Sequence, residues 1–273
     1  MAISLASISK NVPKQPIITV HGSPGIGKST LGAQAPSPIF IPTEDGLGTL
    51  SVDAFPVAQN WNDVVSAMGA LFQEEHQYKT VVIDSLSALE PLIWKQVAVD
   101  HNKDSIESIP YGKGHIFSLD YWQQFLSGVI ALRDQKGMLP IMIAHSDVVR
   151  YDSPEVESFD RFFIKLHKRA FHLLYERADI IGFANWKTMI VKDDVGFNKK
   201  QARGIGTGER LLHLVEKPAY IAKNRYSLPD TIPLSWDALA QALGHVLPST
   251  TKQPTAQQAK AANQTNQPTA KTA

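Results

Sequence analysis

Cysteine is missing from all 273 residues. A disulfide framework, a cysteine-ligated zinc, an iron–sulfur cluster and a cysteine nucleophile are therefore excluded. The absence suits a reducing cytoplasm, which is the expected location. No run of about 18 or more apolar residues occurs, so the sequence predicts no membrane span and no membrane partner. The opening MAISLASISKNVPKQP is too weakly apolar to read as a secretory signal. Charge of one sign is lacking too: 27 basic residues face 26 acidic ones, a net charge of +1. The chain is no polycation, and any contact with nucleic acid must come from a local patch. What is present, 43% hydrophobic and 19% charged residues, is the composition of a globular protein with a real core.

From Pro248 to Ala273 the composition shifts to Thr, Gln, Ala, Asn, Pro and three lysines, with no aromatic and no acidic residue. Such a segment buries too little apolar area to offset the entropy of ordering it. It is expected to be a disordered tail at 248–273 behind a single-domain body at 1–247. The body alternates apolar runs with helix-period segments. Strands are predicted at Ile17–His21, Pro38–Pro42, Thr80–Asp84, Pro140–His145 and Ile180–Asn185. Helices are predicted at Gly27–Gln34, Trp61–Glu75, Leu86–Val99, Ile116–Gln135 and Phe159–Arg177. Later come short strands at Thr188–Val191, Leu211–Glu216 and Tyr220–Ala222, and a helix at Trp236–Leu243. The fold class is α/β: a mainly parallel sheet flanked by helices, with antiparallel edge strands late in the chain.

The first strand runs into GSPGIGKST, that is Gly22, Ser23, Pro24, Gly25, Ile26, Gly27, Lys28, Ser29 and Thr30. This fits G-x-x-x-x-G-K-[ST] in full, in the strand–loop–helix context the motif demands. Glycines let the backbone curl so that successive N–H groups converge on phosphate oxygens, and the helix that starts here adds its partial positive charge. Lys28 reaches the β- and γ-phosphates of ATP, and the Ser29 hydroxyl can ligate Mg²⁺. A second metal anchor is needed at a neighbouring strand end. Asp84 closes the apolar strand TVVID and suits that role, holding the metal through its water shell. Asp84 or Ser85 could equally cap the helix that begins at Leu86, and the two roles are compatible.

Three further features stand out. Glu44 follows the second strand in IFIPTEDGLGTL, His145 ends the fourth in IMIAHSD, and Ala222-Lys223-Asn224-Arg225-Tyr226 lies late in the chain. With the phosphate loop, they make residues 14–245 resemble the phage-encoded, RecA-like nucleotide-binding proteins of the AAA-domain type, a group that includes Sak-type single-strand annealing ATPases. The resemblance implies a RecA-like P-loop core. It implies that Glu44 activates the attacking water and that His145 senses the γ-phosphate, although RecA recombinases carry glutamine there. It also implies that Lys223 and Arg225 reach the ATP site of a neighbouring subunit. Read from the residues alone, Glu44 could be an exposed turn residue, His145 a structural histidine, and Lys223 and Arg225 a solvated basic edge.

RecA-like proteins bind single-stranded DNA through loops after the fourth and fifth strands. Here Val148–Ser158 leads into a basic segment with Arg161, Lys165, Lys168 and Arg169. The stretch Lys187–Arg210 carries Lys192, Phe197, Lys199, Lys200, Arg203 and Arg210 among glycines. Basic side chains, a mobile backbone and a stacking ring suit sequence-tolerant single-strand binding. A solvated β-hairpin turn is the plain alternative. The resulting expectation is an ATP- and Mg²⁺-dependent ATPase that binds single-stranded DNA, assembles as a homo-oligomeric ring or filament, and serves phage recombination or annealing. The rivals are a small-molecule P-loop kinase and a nucleotide-gated DNA-binding module with little hydrolysis.

Overall fold

The computed structural model describes residues 4, 5, 8, 12–152, 157–194 and 200–244, with no side chain described at 188–207. In chain order the elements are β1 (Ile18–Gly22), α1 (Lys28–Ala33), β2 (Pro38–Pro42), β3 (Asp53–Ala54), α2 (Trp61–Gln73) and β4 (Thr80–Asp84). There follow α3 (Leu86–Asp100), α4 (Gly114–Lys136), β5 (Leu139–Tyr151), β6 (Phe159–Ile164), α5 (Lys168–Arg177) and β7 (Ile180–Asp194). The chain closes with β8 (Lys200–His213), β9 (Lys223–Asn224), β10 (Thr231–Pro233) and α6 (Trp236–Leu243).

The strands form one sheet in the order β10-β8-β7-β1-β5-β4-β2-β3, with β6 on β5 and β9 on β7. From β3 to β7 neighbouring strands run parallel, and β6, β8, β9 and β10 are antiparallel. The sheet is thus mostly parallel and flanked by helices, as expected. Every residue of β1 and β4 is buried, because helices cover both faces. Alternate residues serve the two layers. Ile39, Ile41, Val81, Ile83 and Met142 pack with α2, α3, α4 and α5. Ile18, Val20, Phe40, Val82 and Ile143 pack with α1 and α6.

Local chemistry sets the helix ends. Asn60 and Asp63 form a reciprocal capping box on α2, and Ser85 and Ser235 cap α3 and α6. Gly137, at φ 68°, closes α4.

Several expectations are corrected. The helix predicted over Phe159–Arg177 is two elements: β6, antiparallel to β5 from Ser146↔Ile164 to Tyr151↔Phe159, and then α5, capped by the His167 side chain. Aromatic contacts favour the strand, since Phe162 stacks on Phe183 of β7 at 5.0 Å. Residues Val148–Tyr151, predicted as loop, are strand for the same reason. Arg161 belongs to no basic surface patch: it is 6% exposed and pairs with Glu216 at 2.7 Å. The stretch Lys187–Arg210 is a ribbon rather than a loop, with β7 and β8 paired as far as Asp194↔Lys200. The strand predicted at Tyr220–Ala222 reduces to isolated bridges at Tyr220, and β9 follows it. The predicted tail at 248–273, with Phe197 and Lys199, lies outside the described residues. Of Lys192, Lys200 and Arg203 only the backbone is described.

Candidate nucleotide site

The site forms where β1, β2 and β4 end on one edge of the sheet and β5 passes between β1 and β4. Gly22 closes β1 between His145 of β5 and Ala184 of β7. A Cβ at Gly22 would stand 2.4 Å from the Ala184 carbonyl oxygen, so only glycine permits the tight exit into the loop. Gly27 has φ 109°, a left-handed conformation that glycine adopts without strain. Between them the loop turns back on itself and delivers Lys28 to the start of α1.

Lys28 is 5% exposed, and its Nζ donates to the carbonyl oxygens of Gly22 and Ser23, each at 2.9 Å. Burial pushes its pKa below the usual lysine value, while the carboxylates of Asp84 and Glu44 act in the opposite direction. The Ser29 hydroxyl donates to Asp84 Oδ2 at 2.6 Å. Burial raises the pKa of Asp84. The Ser29 bond counters that, Glu44 adds to it, and Lys28 and His145 lower it.

Glu44 is brought beside Asp84 by a lock between the ends of β2 and β4. The Thr43 backbone N–H donates to the Asp84 carbonyl at 2.8 Å. Thr43 Oγ1 donates to the Ser85 carbonyl at 2.6 Å and accepts the Ser85 N–H at 2.8 Å. The Ser85 hydroxyl then donates to Glu44 Oε1 at 2.5 Å, and His145 Nε2 stands 2.9 Å from the same oxygen. Nε2 donates in that bond, because a carboxylate oxygen accepts. His145 Nδ1 is buried and, among the described residues, has no hydrogen-bond partner.

Lys28, Ser29, Glu44, Asp84 and His145 thus line one cavity of about 410 Å³, together with the loop and residues 46–50. The strand order accounts for this: β5 lies between β1 and β4, so His145 falls between the loop and Asp84. The donor set fits a metal held jointly with phosphate. Among the described residues no group of three His, Asp or Glu could hold a metal alone. One hydroxyl and one carboxylate leave coordination positions for waters and phosphate oxygens, which is how Mg²⁺ is commonly bound.

Residues 14–226, well over half of the chain, match the family described as AAA domain. The chain belongs to this family. AAA domains are nucleotide-binding P-loop ATPase domains that generally use ATP and Mg²⁺. The chain is also similar to the SPbeta prophage-derived uncharacterized protein YorG of Bacillus subtilis (strain 168), with 24% identity over 174 residues. The match covers 55% of this chain and 54% of that protein, so the chain spans about half the length of the curated relative it matches.

The AAA-domain site does not gather every residue singled out in the sequence. Lys223 and Arg225 lie at the opposite sheet edge, where β9 pairs with the start of β7. Lys223 donates to the Tyr175 carbonyl and lies over the Tyr175 ring, 4.6 Å from its centroid. Arg225 bonds Asp179 Oδ1 at 3.0 Å and the Glu176 carbonyl at 2.9 Å. Neither is near its own chain's phosphate loop. Arg210, predicted for a DNA-facing loop, instead lies against the phosphate loop, with Nη1 3.4 Å from the Ile26 carbonyl.

Sequence reasoning missed Thr43 and the bond from Ser85 to Glu44. The signal was there: a hydroxyl residue follows each of the apolar strands β2 and β4. It also missed His21, fully buried in β1, which lies 2.8 Å from the Ser146 hydroxyl and 2.9 Å from the Ile221 carbonyl. Burial drops its pKa to about 4, so the ring is neutral, with Nε2 donating to the carbonyl and Nδ1 accepting from Ser146.

Proposed function

We propose that this protein is a Mg²⁺-dependent ATPase that binds single-stranded DNA and serves phage recombination or strand annealing. It works as a homo-oligomer with ATP between subunits, in the cytoplasm of the host cell. The observation that carries the reading is the convergence of Ser29, Asp84, Glu44 and His145 on the phosphate loop. Lys28 gives up the Gly22 and Ser23 carbonyls to neutralise phosphate oxygens. Ser29 and Asp84 hold the metal, which when bound screens phosphate charge and orients the polyphosphate. Glu44 receives both of its hydrogen bonds on Oε1, which leaves Oε2 to take a proton from the attacking water. Ser85 and His145 hold that carboxylate in place. The oligomer is supported by the position of Lys223 and Arg225, which are too remote to serve their own site and stand on a face where a neighbour could take them up. The DNA reading is supported by two antiparallel extensions, β5–β6 and β7–β8, that rise from the strands flanking the loop. A prophage-derived relative agrees with a phage role.

Steady-state ATP hydrolysis, measured with and without single-stranded DNA over a range of protein concentrations, tests the reading. Turnover should rise with both. Turnover indifferent to both, but dependent on a small phosphate acceptor, would instead identify a kinase. Tight ATP binding with no turnover would identify a nucleotide-gated binding module.

A further inference from the structure

Arg210 lies on β8 directly across from Trp186 of β7. Residues facing each other in an antiparallel pair share a sheet face. Leu212, on the same side of β8, packs with Ala184 of β7 on the face covered by α1 and α6. Arg210 and Trp186 continue that face past the sheet edge to the level of the phosphate loop. There Arg210 Nη1 would meet a Cβ built on Gly27 at 2.6 Å. Among the described residues its side chain makes one hydrogen bond, the 3.4 Å contact to the Ile26 carbonyl. Charged N–H donors settle at about 2.7–2.9 Å from a good acceptor, and a guanidinium has five such donors. The group is exposed and mostly unused, against a loop of the kind whose backbone N–H groups bind phosphate. Its backbone, by contrast, is tied down, since the Leu234 N–H donates to the Arg210 carbonyl at 2.9 Å.

The second observation concerns the ribbon. The pairing of β7 with β8 slips between Trp186 and Thr188, immediately beyond the Trp186↔Arg210 pair. From Thr188↔Gly206 to Asp194↔Lys200 the ribbon is joined to the sheet through this slip.

We infer that Arg210 is a nucleotide-binding residue whose engagement also sets the footing of the β7–β8 ribbon. The inference rests on the ATP-binding reading above. When nucleotide is bound, the guanidinium leaves the Ile26 carbonyl for phosphate oxygens, and the Trp186–Arg210 step tightens beneath the ribbon. Coupling between two binding sites is reciprocal. Whatever the ribbon holds therefore changes nucleotide affinity by the same factor that nucleotide changes its own.

The test uses the full chain, MgATP and two readouts: calorimetric affinity, and hydrogen exchange at the backbone amides of 186–192 and 202–210. Arg210→Ala should weaken MgATP binding about 10–100-fold, the worth of a hydrogen bond to a charged group. Arg210→Lys should recover part of it. In the wild type, MgATP should slow exchange in the ribbon; in Arg210→Ala, at saturating MgATP, it should not. Arg210→Gln, which keeps much of the size, replaces Arg210→Ala if that variant does not fold. Wild-type affinity in the variant would overturn the binding role, and a ribbon that still responds would overturn the coupling. The two failures can be told apart, because a wild-type protein that binds no MgATP overturns the ATP reading itself.

Discussion

The Ser29 hydroxyl donates to the Asp84 carboxylate over 2.6 Å, joining the phosphate loop to the end of β4. On the proposed reading, the contact joins the two residues that would hold the metal. Asp84→Asn keeps an acceptor for Ser29 but removes the charge. Mg²⁺-dependent hydrolysis should fall by at least about 10²-fold, since a positioned metal supplies several kcal/mol of charge stabilisation. Stability should move the other way. The pKa of Asp84 is raised on folding, so the folded chain binds its proton more tightly than the unfolded chain. Below the unfolded value both states are neutral and nothing is lost; as pH rises towards and through the folded value, stability falls. The variant should therefore melt higher than the wild type at pH 8 and alike near pH 3, as thermal denaturation would show.

On the proposed reading, His145 acts through Glu44, to which its Nε2 is bonded at 2.9 Å. His145→Ala removes one of the two bonds that hold the Glu44 carboxylate, and turnover should drop about 10-fold or more while ATP affinity holds. His145→Gln can restore an N–H donor to Glu44 and should recover most of the rate. If glutamine were as damaging as alanine in steady-state assays, the role would belong to the imidazole itself.

Glu90 supplies a pH prediction away from the site. Its carboxyl is buried in α3, where both oxygens accept from the His167 N–H, at 3.1 and 2.9 Å. Burial lifts its pKa to about 7, and the hydrogen bond from His167 only partly offsets this. The sign is that of a raised acid: the folded state keeps its proton through a range where the unfolded state has lost it. Stability therefore declines from about pH 4.5 to about pH 7 and stays lower above that. Glu90→Gln, which still accepts from His167, should flatten this decline, and the melting temperatures of the two proteins should separate across that window.

Arg225 and Glu44 give the assembly test. Glu44→Gln should bind ATP normally and turn over about 10²-fold or more slowly, the loss expected for a general base. Arg225→Ala should also bind ATP, and should lose far more rate if the guanidinium completes a neighbour's site, where such residues are worth about 10³–10⁵. Mixed subunits should regain activity in proportion to protein concentration, because some interfaces pair an intact Glu44 with an intact Arg225. Mixtures that co-assemble yet stay inactive would confine Arg225 to its bonds with Asp179 and Glu176.

Much of the fold was legible where apolar runs are short and sharply bounded. Pro38–Pro42, Thr80–Asp84 and Trp236–Leu243 have the predicted ends, because proline, aspartate and a serine cap punctuate them. The phosphate loop and Asp84 were legible because their chemistry is written in consecutive residues. What escaped was set by pairing over distance. The run DRFFIKLHKRAFHLLYER has apolar spacing that a helix tolerates throughout, and its first half becomes strand because β5 continues far enough to pair with it. Glycines and lysines between Lys187 and Arg210 suggest a loop, yet cross-strand hydrogen bonds need no apolar pattern. Arg210 reached the phosphate loop only because β8 lies two strands from β1, an order that no local window reveals.

Gly22, the root of the phosphate loop, is gripped on one side by β5 and on the other by β7. Both strands continue past it, β5 to Tyr151 and β7 to Asp194. At about 3.3 Å per residue, β7 stands roughly 30 Å beyond the level of Gly22. The two extensions are therefore the arms of a pair of pliers whose jaws are the backbone on either side of β1. On the proposed reading, a load at either tip would bear on β1, the strand that leads into the phosphate loop. The gap for the loop is so narrow that a single added methyl group would collide with Ala184, so even a small rotation at the pivot is felt there.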